Sequence, residues 1–134
     1  MDLHPLTADD HALIELARRT VEENTDGPDG VHTMGAAVRG ADGRLFAGIN
    51  LYHFTGGPCA ELVALGNARA SGARTLTTIV AVGNENRGIF APCGRDRQVL
   101  VDYYPGIRVI VPTADGPRSV LATDLLPGAY HWEP

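Results

Sequence analysis

A chain of 134 residues is long enough for one domain with a modest core and too short for two, so a single domain over 1–134 is expected. A formal charge of −5 with scattered acidic residues excludes a basic surface that tracks nucleic acid. There is no apolar run of about eighteen residues, and the opening Met-Asp-Leu-His-Pro-Leu has no signal-peptide pattern, so a soluble cytoplasmic protein without a membrane partner is expected.

Thr7-Ala-Asp-Asp10 has the form of a capping box with Asp in place of Glu, and Leu13, Ile14, Leu16, Ala17 and Val21 follow at helical spacing. That helix should end before Asp26-Gly-Pro-Asp-Gly30, a cluster of breakers. His4 and His11 lack the partner spacing of a metal motif and are read as solvated or helix-end residues. Residues 32–38 suit a strand, Asp42-Gly43 a hairpin turn and residues 44–51 the returning strand, which Asn50 closes. From Tyr52 to Gly57 runs a loop whose Gly-Gly pair lets backbone approach a ligand. His53 in this loop is the histidine nearest the cysteines, and is read as bonding backbone.

A second helix should begin near Pro58 and stop around Ser71-Gly72. Residues 76–82 form a continuous apolar, β-branched run, as a buried central strand would. Asn84-Glu-Asn-Arg87-Gly88 reads as a polar loop leaving that strand, and a third helix follows Pro92. Tyr103-Tyr-Pro-Gly106 is a stop signal, residues 107–111 another buried strand, Asp115-Gly116 a turn, and Thr123-Asp-Leu-Leu-Pro-Gly128 a short helical turn. The alternation predicts a three-layer α/β/α sandwich around a mixed sheet of about five strands.

Both cysteines lie in short, similar motifs, Pro58-Cys-Ala-Glu61 and Pro92-Cys-Gly-Arg-Asp96. With each proline in the first helical turn, Cys59, Glu61, Cys93 and Asp96 gather at two helix N-termini, whose partial positive charge favours thiolates and other anions. Cys59, Cys93 and Asp96 are then a ligand set for Zn²⁺ that leaves a fourth position open, with Glu61 free to carry protons. A disulfide is the other use of two cysteines; their place in the motif and the absence of a secretory signal favour reduced ligands.

These motifs resemble those of zinc deaminases, a His- or Cys-x-Glu element followed by Pro-Cys-x-x-Cys, with Asp96 where the third cysteine is expected. Within the cytidine deaminase family the resemblance is to the blasticidin S deaminase branch. It is carried by Tyr52-His-Phe-Thr-Gly-Gly-Pro-Cys-Ala-Glu-Leu-Val, Val82-Gly-Asn-Glu-Asn-Arg-Gly-Ile, Pro92-Cys-Gly-Arg, Arg97-Gln-Val-Leu and Tyr130-His-Trp-Glu, across residues 42–133. It implies Zn²⁺ as cofactor and hydrolytic release of ammonia from a cytosine nucleoside or nucleoside antibiotic, with Glu61 as catalytic proton carrier. By the same resemblance Thr33 and Asn50 touch the sugar, Arg87 joins the active site, and Tyr130 and Trp132 close the pocket. Arg95 and Arg97 would offset the ligands' negative charge, Arg97 lying in the matched Arg-Gln pair. A homotetramer is the assembly it implies. Asp96 keeps the charge of cysteine but has a longer, harder side chain, which leaves open a working site, a weakened one and a metal-free nucleoside-binding relic.

Overall fold

The computed structural model describes residues 1–133. Helix α1 (Ala8–Asn24) starts at the predicted capping box: Thr7 Oγ1 accepts from Asp10 N at 3.2 Å, and Asp10 Oδ2 accepts from Thr7 N at 3.0 Å. Leu13, Ala17 and Val21 form its buried stripe. His11 is exposed on the helix, and the backbone of His4 pairs with Ser119 in an isolated bridge.

Strands β1 (Met34–Gly40) and β2 (Leu45–Ile49) form the predicted hairpin, turning at Asp42 and Gly43, where φ is +90°. Helix α2 (Ala60–Ala70) leads to β3 (Leu76–Gly83), the buried centre of the sheet. A tight turn returns the chain as β4 (Gly88–Phe90), before α3 (Gly94–Tyr103), β5 (Arg108–Val111), β6 (Arg118–Leu121) and a 3-10 turn (Ala122–Leu125). The strand order is β2-β1-β3-β5-β6, with β4 also on β3. Only β3 and β5 run parallel, joined by the crossover through α3.

Two apolar clusters, one on each sheet face, make the three layers. Leu13 and Ala17 of α1 pack with Ala37, Val80, Val82 and Ile110. On the other face Ala60, Ala64, Leu65 and Ala68 of α2 and Leu100 of α3 pack with Ala36, Val38, Phe46, Ile79 and Val109. Each fully buried Leu, Ile or Val contributes about 1.5–3 kcal/mol relative to exposure. Helix α2 sits close on β2 because Gly48 has no side chain: a Cβ there would collide with the backbone of Ala64 and Ala60. That close seat fixes the height at which the first turn of α2 meets the sheet edge.

The sheet has six strands where about five were expected. The stretch after Gly83 is a hairpin: Asn84 O accepts from Arg87 N at 3.2 Å, with Glu85 and Asn86 both at positive φ. Four-residue β6 is too short a run to give a periodic signal in the sequence. Pro58 and Pro92 stand one residue before the N-caps rather than in the first turn, so the cysteines themselves are the N-caps. Among the described residues no helix is long and apolar enough to cross a membrane.

Candidate active site

The hairpin β1–β2 delivers the chain to α2, and the hairpin β3–β4 delivers it to α3, at the same end of the sheet. Cys59 and Cys93 therefore cap neighbouring helices, with Glu61 and Asp96 in the first turns. The sulfurs of Cys59 and Cys93 are 3.8 Å apart, and with a carboxylate oxygen of Asp96 they form a cluster whose ligand atoms all lie within 4.8 Å of one another. Neither cysteine side chain makes a capping hydrogen bond.

The donors fit a dication. Asp96 is 1% exposed, and its Oδ1 is buried without a hydrogen-bond partner. An orphaned carboxylate oxygen costs about 1–3 kcal/mol or more, and a metal ligated there removes that cost. Without a cation the acids penalise one another. Burial pushes the Cys59 thiol up to about 11, with the Asp96 charge and Cys93 adding and Arg95 opposing. Burial, then the charge of Asp96, pushes the Glu61 carboxyl up to about 8. Two thiolates and a carboxylate exceed a dication by one negative charge, which a single guanidinium can balance. The guanidinium nearest the sulfurs is that of Arg95, whose Nη2 lies 3.8 Å from Cys59 Sγ and donates to Gly57 O at 3.1 Å.

Arg97, the arginine of the matched pair, does something else. Its Nε donates to Pro92 O at 2.8 Å and its Nη1 to Leu125 O at 3.1 Å, tying the start of α3 to the 3-10 turn. Two helical steps separate Arg95 from Arg97 by about 200°, so they point to nearly opposite sides of α3 and only one of them can face the sulfurs.

A cavity of about 250 Å³ opens over the cluster, lined by Met34, Asn50, Tyr52, Phe90, Ala91 and the motif residues Gly57 to Glu61, Cys93 and Asp96. Glu61, 7% exposed, is its buried acid beside the thiols. A larger groove of about 580 Å³, at the opposite end of the sheet, is lined by His4, Arg39 and Arg108 among others and holds no thiol.

Asn50 lines the cavity, with its amide oxygen and one of its two N–H donors engaged by backbone. Its Oδ1 accepts from Thr33 N at 2.8 Å and Met34 N at 3.0 Å, and its Nδ2 donates to Val31 O at 3.0 Å. Thr33 contributes its carbonyl, which accepts from Asn84 N and from Arg87 Nη2. Arg87 also donates to Asn84 Oδ1 at 3.0 Å and lies over the Phe90 ring at 5.0 Å, behind the cavity wall rather than in it. Asn84, 1% exposed, is the centre of this knot: its Nδ2 reaches Thr25 Oγ1 and Gly27 O. The sequence assigns no site role to Asn84, Met34 or Phe90; for Asn84, a polar residue directly after a buried apolar strand is the signal available.

The terminal aromatics do not line this chain's cavity, contrary to the expectation that they close the pocket. Trp132 stacks on Tyr103 at 5.8 Å, and the Tyr130 carbonyl accepts from Gln98 Nε2 at 2.9 Å, which carries the tail along α3. The Tyr130 ring is exposed. His53 bonds Thr55 within its own loop and offers nothing to the sulfurs.

No family model matches the chain. A cytidine deaminase of Halalkalibacterium halodurans is 33% identical over 101 residues, covering 72% of this chain and 76% of that protein. A blasticidin-S deaminase of Bacillus cereus is 26% identical over 134 residues, covering 93% of this chain and 94% of that protein. In the crystal structure of a cytidine deaminase from Burkholderia pseudomallei the fold recurs with a TM-score of 0.73 and 36% identity, over 93% of this chain and 100% of that one.

Proposed function

Since the chain belongs to the cytidine deaminase family of C–N hydrolases, we propose that it converts the cytosine amine of a nucleoside or nucleoside antibiotic to a uracil carbonyl, releasing ammonia. The observation that carries this reading is the buried, orphaned Asp96 oxygen facing two thiols, with a second buried acid, Glu61, in the same small cavity.

Cys59, Cys93 and Asp96 would hold Zn²⁺. When bound, the ion acidifies water toward a pKa of ~7 and so supplies a nucleophile near neutral pH. Glu61 takes the first proton of the attacking water and delivers it to ring N3; as the carbonyl forms it takes the remaining hydroxyl proton and delivers it to the amine, which leaves as ammonia. Its burial suits this work, because desolvation disfavours the charged carboxylate and so makes the group a readier proton acceptor. The apolar walls of Met34 and Phe90 suit the faces of a flat ring. Arg95 balances the excess charge of the ligands. Asn50 and Thr33 shape the sugar end by holding the β1 start against the β2 end, and Arg87 braces the wall.

The relation to a blasticidin-S deaminase over nearly the whole chain supports testing that antibiotic first, and the higher identity to a cytidine deaminase supports testing cytidine and deoxycytidine beside it. The exposed Tyr52, Phe54, Tyr103, Tyr130 and Trp132 support assembly into a homotetramer, in which such surface is buried. The test is ammonia release from blasticidin S, cytidine and deoxycytidine by zinc-supplemented protein. Release from at least one is expected. Silence on all three, with the metal bound, overturns the deaminase reading in favour of a nucleoside-binding protein.

A further inference from the structure

We propose that Cys59 and Cys93 are a redox pair: in the metal-free protein a hydroperoxide joins their sulfurs in a disulfide that withdraws two ligands and bars the site to metal. The proposal rests on the metal site described above and adds its regulation.

The geometry is already close. The sulfurs lie 3.8 Å apart, and a disulfide needs an S–S distance of about 2.05 Å, so the gap to be closed is under about 2 Å. Both cysteines are N-caps with extended backbone, outside the rigid helical turns they precede. Neither sulfur makes a capping bond, and besides the contact between the two sulfurs only Cys59 Sγ has a partner, Arg95 Nη2 at 3.8 Å, so rotating the Cys93 side chain toward Cys59 breaks no hydrogen bond. Cys93 is exposed and Cys59 partly so, which opens the pair to a small oxidant from the Cys93 side.

Asp96 gives the site a property that three cysteines would lack. The chain has two cysteines in all, so only one intramolecular bridge exists and no third thiol can reshuffle it. The Cys93 thiolate attacks an oxygen of the hydroperoxide, the O–O bond breaks, an alcohol or water leaves, and a sulfenic acid remains. The Cys59 sulfur then attacks the sulfenic sulfur, and its proton leaves with the hydroxyl as water. In sum, two thiols and one hydroperoxide yield one disulfide, one alcohol or water, and one water; the sulfurs are oxidised and the peroxide is reduced. A bound dication engages both sulfurs, so only the metal-free fraction reacts.

The test treats metal-free and zinc-loaded protein with a small excess of hydrogen peroxide, then maps peptides without reductant. In the metal-free protein both thiols should vanish together, with the mass of two hydrogens lost and the Cys59 and Cys93 peptides joined within one chain. Dithiothreitol should reverse the change, and zinc uptake should be lost on oxidation and regained on reduction. With free zinc at a hundred times its Kd, oxidation should slow roughly a hundredfold, in proportion to the metal-free fraction. In Cys59→Ser the same treatment should add oxygen to Cys93 and give no bridged peptide. Oxygen added to Cys93 of the unaltered protein while Cys59 stays a free thiol, or a bridge formed only between chains, overturns the proposal. Mass reports the bridge without reference to metal, so the two readings fail separately. Reduced protein that takes up no zinc overturns the metal site and its gating, whereas zinc-binding protein whose thiols never join overturns the redox pair alone.

Discussion

The three helices begin in two different ways. At α1 the N-cap is Thr7, and its hydroxyl and the Asp10 carboxylate satisfy each other's backbone N–H groups. At α2 and α3 the N-caps are Cys59 and Cys93, which make no side-chain capping bond, and the acids of the first turns, Glu61 and Asp96, are buried rather than turned back on the cap. An ordinary cap is worth about 0.5–2 kcal/mol, so stability is conceded twice, at the two helix ends that share the cavity. The contrast separates a helix end that serves the fold from two ends held open for a ligand.

The largest effect expected from that contrast is catalytic. Glu61→Gln keeps the shape of the α2 start and removes its exchangeable proton, so turnover should fall about 10²–10⁴-fold while zinc content is unchanged. Turnover within a few-fold of the original would return Glu61 to a structural role and dissolve the contrast. The same residue should also set a pH dependence in the metal-free protein. Its carboxyl moves from an ordinary 4.5 to about 8 on folding, so between those values the folded state holds more protons than the unfolded. Metal-free stability should therefore fall as pH rises from about 4.5 to about 8. Glu61→Gln should flatten that slope in thermal denaturation; an equal slope in the variant would assign it to another group.

Smaller effects test the caps directly. Thr7→Ala should lower stability by about 1 kcal/mol in urea and leave kcat unchanged. Cys93→Ser should do the opposite in kind. It supplies α3 with a good capping hydroxyl, so the metal-free protein should gain some tenths of a kcal/mol, up to about 1 kcal/mol, while zinc uptake falls. Loss of stability in metal-free Cys93→Ser would show that the thiol already supports the helix start.

What could be read from the sequence was what lies close together along it. The capping box at Thr7, the hairpin at Asp42-Gly43, the buried strands and the two Pro-Cys motifs each declare themselves within a few residues, and the sheet joins them as expected. Contacts across the fold could not be read. The Arg-Gln pair pointed to Arg97, but the helical phase of α3 turns Arg95 toward Cys59 and Arg97 toward Leu125. Asn50 was legible as a residue placed to meet a sugar, but not its second task of holding the backbone at Val31, Thr33 and Met34 with its oxygen and one N–H. Trp132 finds Tyr103 rather than the cavity because the path of a chain end depends on the surface it crosses. Strands of three and four residues, as in β4 and β6, exist only through their partners.

The central claim is that Asp96 completes a metal site with Cys59 and Cys93. Its most direct test is the zinc content of the purified protein beside Asp96→Ala prepared identically. About one zinc per chain, lost in the variant, is the predicted result for a site of three protein ligands. Zinc absent from the original protein even after metal is offered, or retained equally in Asp96→Ala, would contradict it.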